Sequence, residues 1–207
     1  MASVLKAHAL VKLATIKDLL NISVSDYDTK LEILINMVSR MMIQEIGHNP
    51  VYTSYTSKKF DGTGRSILTL PNLPIVAVSS ITENGDSLTE NTDFLVYADA
   101  GYLQRISNGV YNGNPECEWA EGNQNIVVSY SAGYWVQNDP SVDGCIEIPD
   151  DIQLACSKQV GIENKRFDAE DWDRTSQSFP DGSISKNIVK LHPQVIEICQ
   201  KYRRPVI

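Results

Sequence analysis

Residues 25–47 read SDYDTKLEILINMVSRMMIQEIG, and the fold turns on how that stretch is interpreted. Ser25 is a natural helix cap, and Asp26 and Asp28 behind it suit the positive end of a helix. Tyr27, Leu31, Leu34, Ile35, Val38 and Met42 then recur at helical spacing, and Gly47 supplies a stop. A second apolar row, Ile33, Met37 and Met41, runs along the same helix at intervals of four. One row is enough to cover a core, so two rows predict burial on two sides. Such a helix is either central to its own domain, or turns one face to the core and one to a neighbouring subunit. We take the second reading, which makes Ile33, Met37 and Met41 the candidate subunit interface.

Working outward, Thr15-Ile16-Lys17-Asp18 predicts a short earlier helix with Thr15 as cap and Asp18 completing a capping box. Beyond Gly47 the character changes. Segments rich in Val, Ile, Thr and Tyr at 51–60, 66–70, 75–82, 94–97, 102–106 and 125–130 predict strands. Turn residues separate them, including Asp61-Gly62-Thr63-Gly64 and the hairpin signal Asn84-Gly85. Helix returns at Pro149-Asp150-Asp151, with Ile152, Ala155, Cys156, Gln159 and Val160 as its inward stripe, continuing to Phe167. Residues 168–186 are polar and predict a mobile loop with a turn at Pro180-Asp181-Gly182. A last helix begins near Pro193, carries Val195, Ile198, Cys199 and Tyr202 on one side, and is stopped by Pro205.

The expected fold class is therefore α+β. N- and C-terminal helices (1–50 and 136–207) form a small bundle around a large antiparallel β insertion (51–135), either a sheet or a small barrel. The two helical segments must meet, since neither alone buries its stripe. A length of 207 residues fits one domain carrying an insertion.

Hydrophobic residues make up 42% and charged residues 21%, which excludes wholesale disorder. Eighteen Lys and Arg against 26 Asp and Glu leave a net charge of −8, a poor basis for gripping nucleic acid by its phosphates. That charge is segregated. Residues 86–151 hold twelve acidic groups and one basic group, Arg105, whereas residues 186–207 hold five basic and one acidic. Distinct surfaces with distinct partners follow. No apolar run approaches the roughly 18 residues of a membrane span, and Lys6 and Lys12 interrupt the start of the chain, so neither secretion nor membrane insertion is expected. Cys117, Cys145, Cys156 and Cys199 form no C-x-x-C pair and have no His at ligand spacing, which predicts reduced structural thiols.

The search for chemistry predicts no catalytic residue, no metal and no cofactor. His8, His48 and His192 are scattered, and the last two suit capping or surface roles. G-x-S-x-G, H-E-x-x-H and P-loop motifs are absent from the sequence. The acidic run at 168–173 lacks the glycine and terminal glutamate of an EF-hand loop. Glu116 and Glu118 flank Cys117 and precede Trp119, which suggests a sugar-cleaving carboxylate pair beside an aromatic platform; strand alternation would point both carboxylates outward, with no cleft identified.

The order of motifs resembles the head–tail connector (adaptor, or head-completion) proteins of tailed bacteriophages. The resemblance is carried by the helix Leu13–Leu20 and the long helix ending Glu45-Ile46-Gly47. It continues in Phe60-Asp61-Gly62-Thr63-Gly64 with Leu68-Thr69-Leu70-Pro71, in the run Leu73–Ile81 with its hairpin, in Ile126–Tyr134, and in Ile148-Pro149-Asp150-Asp151-Ile152 opening a helix. It covers about residues 10–204, and its specificity lies in order and spacing rather than in any single motif. The sequence departs from shorter members in its larger β portion at 84–124 and its polar loop at 168–187.

The resemblance implies a non-enzymatic virion protein, assembled in the bacterial host cytoplasm and placed in the neck. Members form a ring, typically of twelve copies, below the portal protein; the ring extends the DNA channel and offers a platform to stopper or tail-completion proteins. On that footing genomic DNA passes without sequence-specific binding, and part of the acidic region 86–151 faces the channel or the tail side. Lys201, Arg203 and Arg204, followed by Val206 and Ile207, are then the candidate portal-docking tail. Two other classes stand beside this one: a different tail-completion or baseplate component with a β-rich binding module, and a small glycan hydrolase using Glu116 and Glu118.

Overall fold

In the computed structural model, residues 5–111, 117–136, 145–168, 176–179, 182–185 and 191–203 are described. The elements in chain order are α1 (Leu13–Leu20), α2 (Asp28–Ile46), β1 (Thr53–Gly62), β2 (Ile67–Thr69), β3 (Ile75–Glu83), β4 (Asp86–Leu88), β5 (Phe94–Tyr97), β6 (Tyr102–Arg105), β7 (Gly122–Ala132), α3 (Asp150–Asp168), β8 (Ser176–Phe179), β9 (Gly182–Ser185) and α4 (Pro193–Lys201). The fold is α+β, with antiparallel sheets inserted between N- and C-terminal helices. The chain divides into two compact units, a helical one from Met1–His48 and Ile148–Ile207 and a β-rich one from Asn49–Glu147.

In the helical unit, α2 packs on α3 and α4, and α1 packs on α2 and α3. Leu31, Leu34, Ile35, Val38, Met42 and Ile46 of α2 meet the buried stripe Ile152, Ala155, Cys156 and Val160 of α3, together with Val195 and Cys199 of α4. Leu10 and Val11, before α1, are also fully buried. The Ser39 hydroxyl of α2 explains how they are held: it accepts the Leu10 backbone N–H at 3.0 Å and lies 3.7 Å from Cys156 Sγ. Buried Gln159 joins α3 to the start of α4, its Oε1 accepting the His192 N–H at 2.9 Å. His192 caps α4, with Nδ1 accepting the Gln194 N–H at 3.2 Å. All four cysteines are free thiols, and burial pushes Cys156 up to about 12 and Cys199 up to about 11. These are packing groups rather than nucleophiles.

The caps differ from expectation. Lys12, not Thr15, is the residue before α1, and Tyr27, not Ser25, precedes α2; neither offers a side-chain cap. Ser25 contributes its carbonyl, which accepts the Asp28 N–H at 3.0 Å. Tyr27 is exposed rather than part of the inward row. The last helix ends at Lys201, before Pro205 is reached. The segment expected to be a polar loop contains a hairpin, β8 paired antiparallel with β9. A backbone ladder needs no apolar alternation, which is why polar residues hid it.

The β unit holds a four-stranded sheet, order β1-β7-β3-β4, and a three-stranded sheet, order β2-β6-β5, both antiparallel. Ile126, Val128, Tyr130 and Ala132 on alternate positions of β7 anchor a core shared with Leu68, Leu70, Ile75, Ile81, Phe94, Leu103 and Trp119. Asn84 and Gly85, at φ 54° and 97°, make the expected hairpin turn into β4, a three-residue strand too short to be read from pattern. Gly133 has φ +107°, and a Cβ there would lie 2.6 Å from the Val51 carbonyl, so only glycine fits. The edge strand β1 is interrupted by two register shifts and carries Lys58 and Lys59, features that keep an exposed edge from pairing at random.

Candidate interaction surfaces

α2 presents its two rows to different surroundings. The inward row is fully buried, while Ile33 is 52% and Met37 38% exposed, with Met41 half-buried. Arg40 is exposed between them. The second row is therefore not covered by this chain's own core.

At the far end of the helical unit, α4 closes onto the start of α3. Lys201 Nζ lies 2.7 Å from Asp151 Oδ2, and the Tyr202 hydroxyl donates to Asp151 Oδ1 at 2.7 Å. Burial opposes ionisation of Asp151, but the hydrogen bonds from Lys201 and Tyr202 outweigh it and hold the carboxyl below its ordinary value. Burial, with the adjacent carboxylate, pushes Tyr202 up to about 12. Lys201 is thus engaged within the chain, and Arg203 is the exposed cation that follows. Arg204, Val206 and Ile207 lie outside the described residues.

The carboxylate pair comes apart on inspection. Glu116 lies outside the described residues; Cys117 is buried and not in a strand, and Trp119 is 1% exposed, packed in the β core rather than offered as a platform. Gly62-Thr63-Gly64 forms the turn between β1 and β2, with the Gly64 N–H donating to the Trp119 carbonyl. Among the described residues no cluster of His, Cys, Asp or Glu is placed to hold a metal ion, and no helix is long and apolar enough to cross a membrane.

Sequence reasoning missed the role of Arg105. Its side chain is largely buried, with Nε 3.3 Å from Glu83 Oε2 and Nη1 donating to the Asp93 and Ile106 carbonyls at 2.7 and 2.9 Å. Its guanidinium lies over the Trp119 ring, and Glu83 in turn accepts the Ala120 N–H at 2.8 Å. Its isolation as the one cation among twelve acids was the available signal. Its burial removes that cation from the surface, so the exposed charges of residues 86–111 and 117–136 are all negative.

The described surface thus offers an open apolar stripe on α2, an end of α4 tied to Asp151, and exposed charges in 86–111 and 117–136 that are all negative. A family model described as "Head completion protein" matches residues 9–205 and so spans both units. The chain belongs to the head completion protein family, and its role is the structural one of a head–tail connector. No curated protein sequence matches it. Its fold is similar to a chain in "Neck of native GTA particle computed with C12 symmetry" (TM-score 0.51, 12% identity, 99% of this chain and 93% of that one). It is similar too to a chain in "Neck of empty GTA particle computed with C6 symmetry" (TM-score 0.54, 11% identity, 99% and 95%). A third chain, from "Virion of native gene transfer agent (GTA) particle", gives TM-score 0.51 at 10% identity over 97% and 92%. At such identities the likeness is one of fold.

Proposed function

We propose that this protein is the non-enzymatic subunit of a ring, of twelve copies in the virion, that sits below the portal protein, continues the DNA channel and receives stopper or tail-completion proteins. The observation that carries this reading is the family match running through both units, from residue 9 to residue 205. The stripe Ile33, Met37 and Met41 makes the contact between neighbouring subunits, and the tail from Lys201 through Arg203, Arg204, Val206 and Ile207 docks on portal. Asp151, by holding Lys201 and Tyr202, sets where that tail leaves the helical unit.

Twelve copies would carry a net charge of about −96, all of it from the β unit. An acidic wall repels DNA phosphates, so a passing duplex forms none of the cation contacts that release counterions and hold it. Mixing the protein with its cognate portal and imaging the complex by electron microscopy tests the reading. Twelvefold density beneath portal is expected. Deleting Arg203–Ile207 should abolish attachment while leaving the subunit folded, and unchanged attachment would remove the tail from the docking surface. A protein that ignores portal yet binds a distal tail component would instead be a tail-completion or baseplate part.

A further inference from the structure

The helical unit carries a second exposed apolar patch, away from the α2 stripe. Leu19 is 56%, Val24 50% and Tyr27 47% exposed, and all three lie on the corner that joins α1 to α2. That corner is held in shape. Lys17 Nζ pairs with Asp28 Oδ1 at 2.6 Å, the Ile22 N–H donates to the Lys17 carbonyl at 2.9 Å, and Asn21 closes α1 at φ 55°. Asp18 and Asp26 flank the three apolar side chains and are exposed. Among the described residues neither of them, nor Arg40 on the stripe, forms an ion pair. One face is thus apolar with an unmatched cation, the other apolar with two unmatched anions.

From these observations we infer that the α1–α2 corner of one subunit is the surface that receives the α2 stripe of the next. Leu19, Val24 and Tyr27 cover Ile33, Met37 and Met41, and Asp18 and Asp26 face Arg40. The inference rests on the ring reading above and specifies the contact that builds the ring. Position supports it. Met37 lies ten residues beyond Tyr27, about 15 Å along the axis of α2, so corner and stripe are separate patches. Two different patches that fit each other give head-to-tail association, the mode that builds a ring when the rotation between subunits closes, whereas one self-complementary patch gives a twofold dimer. The competing apolar position, Leu154, offers Arg40 a single open carboxylate, Asp150, where the corner offers two, because Asp151 beside it is already taken by Lys201 and Tyr202.

Charge reversal tests the pairing, read as ring assembly on the cognate portal. R40E alone and D18K/D26K alone should each weaken assembly about tenfold or more, since like charges then meet across the contact. A one-to-one mixture of the two variants should restore it. In an alternating ring the carboxylate introduced by R40E meets the two ammonium groups introduced by D18K/D26K, and the Arg40 retained by the corner variant meets the native acids. Because these positions are exposed, the rescue also shows that both variants fold. A second measurement uses oxidative cross-linking of V24C/M37C, which should give a ladder of oligomers. Dimers alone from M37C would indicate face-to-face pairing and overturn the inference, as would R40E assembling normally. Rescue of R40E by D150K, and not by the corner variant, would move the complement to the start of α3 and overturn it as well. If wild-type protein forms no ring on portal, the ring reading itself fails, an outcome distinct from a ring that forms but ignores these charges.

Discussion

The two units of this chain solve the problem of charge in opposite ways. The helical unit contains fourteen acidic and fourteen basic residues and is neutral; the β unit contains twelve acidic and four basic and carries the whole −8. In the helical unit charges of opposite sign join one helix to another, as in Lys17–Asp28, Lys30–Asp168 and Lys201–Asp151. In the β unit Arg105 is spent inside, on Glu83 and Asp93, and the remaining acids among the described residues are exposed. In the proposed ring, the neutral body with its apolar patches packs among copies, and the acidic one stays free of DNA. Divided by position, residues 86–151 carry −11 and residues 186–207 carry +4; divided by fold, the whole chain becomes −8 beside zero.

The largest break in that contrast should come from Arg105→Ala. It leaves Glu83 buried without its cation and strips two carbonyls of a donor, so a loss of about 3–5 kcal/mol is expected by chemical denaturation. Next in size is Ser39→Ala in the helical unit. It orphans the Leu10 N–H in a fully buried site and should cost about 1–3 kcal/mol in the same measurement.

A salt series sharpens the comparison without a mutation. Raising NaCl from low to moderate concentration screens repulsion among the β unit's acids, and should raise amide protection in β1–β7 by about 1 kcal/mol or less. Protection in α2 and α3 should stay level or fall slightly as their ion pairs are screened. Hydrogen exchange on the intact protein would show whether the two units part company in this way.

Smaller again is the contribution of the α3–α4 closure, which has two pH limbs. Asp151 has a lowered value in the folded chain, so its share of stability is complete above the unfolded value near 4 and disappears as pH falls through the folded one. Tyr202 is raised, so its share is complete below about 10 and is lost as pH rises through about 12. Because the site is partly open to solvent, Asp151→Asn should lower Tm by about one degree or less, while flattening the acid limb of the stability profile. The smallest effect on stability belongs to Met37→Asp. Its side chain is already exposed, so the monomer should change by about 0.5 kcal/mol or less in thermal melts, while ring assembly is lost. An unfolded M37D would show that the stripe is internal after all.

Much of this fold was legible because its elements obey simple periods. The inward row of α2 from Leu31 to Met42, the β-branched and aromatic segment 125–130 within β7 and the Asn84-Gly85 turn each follow from local stereochemistry, and each stands where expected. The capping residues did not, since Thr15 and Ser25 suited the chemistry but the helices began at Leu13 and Asp28. Helix ends are set by what the first turn packs against as much as by a side-chain oxygen. β4, β8 and β9 escaped because short polar strands are held by backbone hydrogen bonds, which leave little trace in composition.

On its own, the sequence determined that helices at both ends enclose a β insertion, that α2 carries two apolar rows, and that acids crowd one stretch. Those properties depend on residue type and spacing, which the chain carries wherever it goes. Only the tertiary structure decided which row of α2 stays exposed, that Trp119 is core rather than platform, that Arg105 is withdrawn from the surface, and that Lys201 is committed to Asp151. Each of these depends on which distant segments come together, and burial and pairing are properties of the partners a residue meets rather than of the residue itself.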